Sequence, residues 1–204
     1  CPISKEKLFG YNKQGVTEFL SKKSKTTGNE VMLIYNQKLS VSPITTHIPL
    51  SNVSRKISKN KLIKKIKIIN NFYKEKIKKT PKIAVLGLNP HNFSGSKKSE
   101  EKSIIIPAIK TIKRNNINII GPISPDTSFV FSKNYKPDVI VGMYHDQVLS
   151  AFKTIYKFNA INITLGLPYI RVSPDHGTGK NIMGKNIANP RSLIEAIKFF
   201  NFVK

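Results

Sequence analysis

The chain has 204 residues, of which 39% are hydrophobic and 23% charged, with one cysteine and a formal net charge of +24. That length and apolar content set aside a disordered chain, a lone cysteine excludes an internal disulfide and fits a reducing compartment, and no apolar run reaches the ~18 residues that cross a bilayer. The charge invites a nucleic-acid partner, but only Arg55, Arg114, Arg171 and Arg191 of the 35 basic residues are arginine, whereas base reading and two-pronged phosphate contacts favour guanidinium. The joint excess of Lys, Ile and Asn follows from A/T-rich codons instead. The expectation is a cytoplasmic globular protein with no nucleic-acid or membrane partner; no signal-peptide pattern opens the chain.

In chain order, residues 3–23 predict a helical opening, interrupted near Gly10 and Gly15. Residues 31–35 and 39–46 predict two strands joined by a tight turn at Asn36-Gln37, the second ending on His47 just before Pro49. Leu62, Ile66, Ile69 and Tyr73 recur at helical spacing within 60–78, with lysines on the solvated face. Residues 83–88 form a continuous apolar run, as expected of a strand buried on both faces. A polar loop over 92–99 leads to a helix beginning near Glu100, with acidic residues in its first turn. Further buried strands are predicted at 117–120, 139–143 and 160–164, and Asn189-Pro190 opens a last helix over 191–203. Alternating strands and helices predict an α/β fold with a largely parallel sheet flanked by helices.

Three of the four histidines, His47, His91 and His145, fall at or near predicted strand ends, where an open α/β sheet presents ligand groups. Neutral imidazole is a common ligand for catalytic divalent metals, and three leave positions open for substrate. The spacing alone also fits three capping or hydrogen-bonded histidines at loop entrances. No G-x-G-x-x-G follows a strand, so a Rossmann site is not indicated.

The text around the histidines carries a resemblance. PISKE (2–6), TEFL (17–20), TTHIPL (45–50), IAVLGLNPH (83–91), GPISPDTSF (121–129), MYHDQ (143–147), NITLGLPYIRVSPDHGTG (162–179) and the closing helix occur in order. Together they resemble the bacterial 4-hydroxythreonine-4-phosphate dehydrogenases of pyridoxal-phosphate biosynthesis, starting partway into the family. The resemblance implies an isocitrate/isopropylmalate dehydrogenase-like fold, with residues 1–182 as the second domain, for substrate, metal and dimerisation. Residues 183–204 would be a helix packing on a first domain absent from this sequence. It implies a homodimer with the site at the subunit interface, and His47, His91 and His145 as ligands of zinc, magnesium or cobalt, His47 from one subunit and the other two from its partner. Thr17, Lys153, Asn162 and Arg171 match substrate positions, Lys153 and Asp126 being the catalytic candidates. Asp126 in SPDTSF and Asp146 beside His145 are candidates to orient a histidine or move a proton, and either reads equally as a helix cap or turn residue. DHGTGKNIMGKNIANP (175–190) looks like an adenosine-binding loop, in which His176 and Asn189, thirteen residues apart, would meet NAD or NADP, with Gly177 and Gly179 allowing close approach.

The implied reaction is oxidation and decarboxylation of 4-phosphooxy-L-threonine to 3-amino-2-oxopropyl phosphate. Two departures stand out: Val16 replaces the family's usual histidine before Thr17, and Asn92-Phe93-Ser94 replaces small residues and a glutamate after NPH. They leave room for an inactive fragment or remnant of that enzyme, or for a related decarboxylating dehydrogenase of another phosphorylated hydroxyacid.

Overall fold

A computed structural model describes residues 15–93, 98–130, 132–177 and 179–203. The PISKE run and most of the expected helical opening lie outside these residues; the described part of that opening is helix α1, Val16–Lys23. There follow β1 (Val31–Tyr35), β2 (Ser40–Pro43), α2 (Val53–Lys56), α3 (Lys59–Phe72), β3 (Ile83–Leu86), α4 (Ile106–Arg114) and β4 (Ile119–Ile123). The chain continues through α5 (Ser132–Tyr135), β5 (Val139–Gly142), α6 (His145–Tyr156), β6 (Ile161–Leu165), β7 (Arg171–Pro174) and α7 (Arg191–Phe202).

The seven strands form one sheet in the order β4-β3-β5-β2-β1-β6-β7. The pairs β4-β3, β3-β5 and β5-β2 are parallel, and β2-β1, β1-β6 and β6-β7 antiparallel. Five strands therefore run the same way, β1 and β7 opposing them, which agrees with a largely parallel sheet. Alternation of side chains sorts the core into two layers. Leu33, Ile83, Val85, Val139, Val141 and Ile163 face α3, α4 and α7, packing with Leu62, Ile66, Ile112 and Phe199. On the opposite face Ile34, Val41, Ala84, Leu86 and Ile140 meet Val148, Leu149 and Phe152 of α6. Burial on both faces is why β3 and β5 read as unbroken apolar runs.

The apolar stripe of α3 explains its inward face, and Ser58 caps its start by accepting from the Lys61 N–H at 3.3 Å. The expected strand over 117–120 runs on through Gly121-Pro122 to Ile123. Its place at the sheet edge tolerates a proline that cannot donate to a ladder. Four elements were not anticipated: the one-turn helices α2 and α5, β7, and α6, whose first residue is His145 itself. No described helix is long and apolar enough to cross a membrane.

Candidate functional site

The strands β3, β5 and β2 are parallel neighbours, so the loops after them open on one edge of the sheet. These loops carry His91, His145 and His47, and the first turn of α1 and the Lys153–Asp175 contact border them.

His47 and His145 come together, their ring centroids 6.1 Å apart. Two imidazoles on one tetrahedral ion at 2.0–2.1 Å would have centroids about 5 Å apart, so the pair stands close to that separation but wider than it. Each offers a carboxylate to Nδ1: Glu18 Oε1 lies 3.4 Å from His47, and Asp146 Oδ1 lies 2.7 Å from His145. A carboxylate at Nδ1 favours the proton there and leaves Nε2 unprotonated, its lone pair free to bind a metal, the pattern of metal-binding histidines. His91 Nδ1 faces Asp126 Oδ2 at 3.7 Å, but its side chain is 83% exposed. Among the described residues no three His, Cys, Asp or Glu side chains converge as a complete metal-ligand group. The pair is therefore assembled within one chain, and His91 stands at the neighbouring strand end without joining it. A division of His47 from the other two between subunits is not required for His47 and His145 to meet.

The loop bearing His91 is held from beneath. Glu101, 2% exposed, accepts the N–H groups of Leu88 and Asn89 on Oε1, both at 2.8 Å. Gln147 of α6 donates to the Gly87 carbonyl at 2.8 Å and accepts from the Met143 N–H at 2.6 Å, locking this loop to the one carrying His145. His91 and Asn92 both have left-handed backbones, φ 52° and 53°; such a conformation costs a non-glycine residue roughly 1–2 kcal/mol. Asn92, one of the departures, donates to the Pro122 carbonyl at 3.1 Å and so ties the loop to β4. Asp126 accepts from the Ser124 hydroxyl at 2.7 Å; that bond, then the nearby His91, lowers its pKa.

Asn162 and Thr164 alternate with the core residues of β6, and Arg171 pairs with Thr164 across the β6-β7 ladder. The Arg171 guanidinium donates to Thr164 Oγ1 at 2.6 Å and to Thr17 Oγ1 at 3.4 Å. Burial lowers its pKa, with Tyr169 and Glu18 acting against that. Asn162 Oδ1 is buried and has no hydrogen-bond partner among the described residues. Thus Thr17 and Arg171 are in contact, and Glu18, next to Thr17, reaches His47.

Lys153 Nζ lies 3.2 Å from Asp175 Oδ1 and 3.0 Å from the Asp175 carbonyl. Asp175 is 6% exposed and Oδ2 has no partner. Burial raises its pKa, and Lys153 only partly offsets that. Its N–H donates to Ser192 Oγ at 2.8 Å, and that fully buried hydroxyl donates to the Ala160 carbonyl at 2.6 Å. Sequence reasoning assigned no role to Glu18, Glu101, Gln147 and Asp175, whose partners lie across loops, although Glu18, Gln147 and Asp175 fall inside the TEFL, MYHDQ and DHGTG runs.

The nicotinamide candidates are less constrained. His176 Nδ1 is 2.9 Å from the Gly177 carbonyl, and Asn189 Oδ1 accepts from the Arg191 N–H at 3.0 Å at the start of α7. A side chain at Gly177 would meet nothing within 4 Å, whereas Gly179 has φ +63°. The loop is open enough to receive a ligand, and its fit rests on exposed polar groups.

A profile of the family described as pyridoxal phosphate biosynthetic protein PdxA matches residues 1–200. The 4-hydroxythreonine-4-phosphate dehydrogenase of Sulfurihydrogenibium sp. (strain YO3AOP1) is 47% identical over 207 residues, covering 100% of this chain and 63% of that protein. The crystal structure of the 4-hydroxythreonine-4-phosphate dehydrogenase from Klebsiella pneumoniae matches with a TM-score of 0.82 and 33% identity, over 100% of this chain and 63% of that one. A β-decarboxylating dehydrogenase from Thermococcus kodakarensis, at 14% identity and TM-score 0.52, covers 99% of this chain and 62% of its own and shares the fold alone. The chain thus spans about 63% of the length of the relatives it matches. Motif order, sheet topology and these matches agree: the chain belongs to the PdxA family of pyridoxal phosphate biosynthetic proteins.

Proposed function

We propose that the chain forms the substrate- and metal-binding part of a homodimeric, NAD- or NADP-dependent dehydrogenase of pyridoxine 5'-phosphate biosynthesis. The reaction is oxidation of 4-phosphooxy-L-threonine and loss of carbon dioxide to give 3-amino-2-oxopropyl phosphate. The observation that carries this reading is the meeting of His47 and His145 at adjacent strand ends, each with a carboxylate on Nδ1. These histidines, with His91, would hold a zinc, magnesium or cobalt ion. When bound, the metal supplies Lewis-acid polarisation of the substrate oxygen and the nicotinamide supplies the hydride acceptor.

The remaining work falls to this chain's own groups. Arg171, half buried and backed by Thr164, offers a fork suited to phosphate or carboxylate, with Thr17 beside it. The amide of Asn162 would hold a polar substrate atom. Lys153, fixed by Asp175, would deliver a proton to the carbon vacated by carbon dioxide, and Asp126 would orient His91. His176, Gly177 and Asn189 would meet the adenosine end of the cofactor. Residues 183–204 would pack on a first domain of the kind the longer relatives leave room for.

Calorimetry of the full chain with 4-phosphooxy-L-threonine and cobalt(II) tests the reading without the cofactor. Metal-dependent substrate binding is expected, lost in His145→Ala. Binding that ignores the metal sinks the reading. Val16 beside Thr17 offers no polar group, which favours a second reading, another phosphorylated hydroxyacid; tighter binding of such an analogue in the same experiment would establish it.

A further inference from the structure

The first turn of α1 touches both the arginine and the histidine parts of the site. Thr17 meets Arg171, and the next residue, Glu18, turns inward to the loop after β2. An acidic residue at a helix start usually stays there for the helix dipole and solvent. Here its side chain is 21% exposed and reaches two polar partners, the Thr46 hydroxyl donating to Oε1 at 3.1 Å and His47 Nδ1 lying 3.4 Å from the same oxygen.

The seat is closed by Gly15. Its φ of −64° is open to any residue, so backbone conformation does not call for glycine. Space does: a Cβ there would lie 2.5 Å from Glu18 Oε2 and 3.0 Å from His47 Nδ1. Glycine lets the chain pass directly behind the carboxylate and the imidazole together.

We infer that Glu18 is a positioning residue for His47: seated by Thr46 and Gly15, it holds the proton on Nδ1 and leaves Nε2 free for the ligand in the cleft. A carboxylate only accepts, so the nitrogen facing it must donate. In water a neutral imidazole favours the opposite tautomer. Outer partners of this kind are typically worth about 10–100-fold in metal affinity. The inference deepens the proposed function, resting on it for the metal but not for the tautomer.

Long-range nitrogen–proton NMR on the metal-free full chain reads the tautomer directly, and four histidines keep the spectrum assignable. Wild type is expected to show His47 with its proton on Nδ1. Glu18→Leu should move it to Nε2 while leaving His145, which faces Asp146, unchanged. Glu18→Gln, whose amide oxygen still accepts, should keep Nδ1–H. In a cobalt(II) titration Glu18→Leu should bind at least about 10-fold more weakly. His47 protonated on Nε2 in wild type overturns the inference, even if the leucine variant fails to fold; so does an unchanged tautomer in a folded Glu18→Leu. The expected tautomers in a wild type that binds no cobalt(II) would leave Glu18 in its role and defeat the metal reading instead.

Discussion

Single residues set the site's electrostatics in opposite directions. Arg171 keeps a guanidinium where lysines are abundant, with one nitrogen spanning Thr164 and Thr17. Arg171→Lys conserves charge but not the fork, so substrate affinity should fall by about 1.5–3 kcal/mol, readable as a Kd shift with unchanged thermal stability. Lys65 is the contrary case. Among the described residues its ammonium, on a residue 7% exposed, finds only the Ile44 carbonyl, at 3.0 Å. Burial, then Lys61, lowers its pKa from 10.5 to about 8. The folded chain thus releases this proton before the unfolded chain does. The destabilisation is complete below about pH 8 and fades as pH rises towards 10.5. Lys65→Met should stabilise the fold at neutral pH by on the order of 2 kcal/mol, after the lost hydrogen bond is counted. Urea unfolding across that pH window should show the advantage shrink.

At the scale of elements, Ser192 joins three of them. Its hydroxyl takes the N–H of Asp175 just after β7 and gives its proton to Ala160 just before β6, from the start of α7. Ser192→Ala leaves both groups buried and unpaired, so the urea midpoint should drop by the equivalent of about 1–3 kcal/mol. Lys153 should lose precision too, because its partner is the residue Ser192 holds. Such links explain what could be read from the sequence and what could not. The strands β3 and β5 were legible because burial on both faces leaves unbroken apolar runs, α3 because its stripe repeats at helical spacing, and α7 because Asn189-Pro190 marks its start. By contrast, β7 escaped notice: Arg-Val-Ser-Pro alternates weakly, and its ladder is set by β6 rather than by its own residues. The helix α6 was hidden because Tyr144, its cap residue, makes no side-chain cap, so HDQ reads as loop. The histidines were visible as motifs; Glu18, 29 residues from His47, became a partner only when α1 folded against the loop after β2.

Over the whole molecule, charge and an uncovered face act together. Leu193, Ile194, Ile197, Phe200 and Phe202 of α7 are 43–60% exposed, while Ala196 and Phe199 on the same helix are buried. An apolar surface of this kind favours association. Sedimentation of the full chain should show self-association that Ile197→Glu reduces without changing the fold. The net charge of +24 opposes compaction. Raising salt from about 0.05 M to about 0.5 M shortens the screening length, so Tm should rise; salt should also strengthen association through the same helix.

The order of strands has one more consequence, for the moment of synthesis. The β1-β2 hairpin is made early, but its two outer neighbours, β5 and β6, leave the ribosome only after residue 138. Until then the hairpin carries two unpaired edges, of the kind that recruit foreign strands. Closing such distant pairings is slow, and waiting chains are prone to stick. The nascent chain should therefore lean on chaperones that shield extended backbone. Because β5 also delivers His145, the hairpin is sheltered and the histidine pair is formed by the same late event.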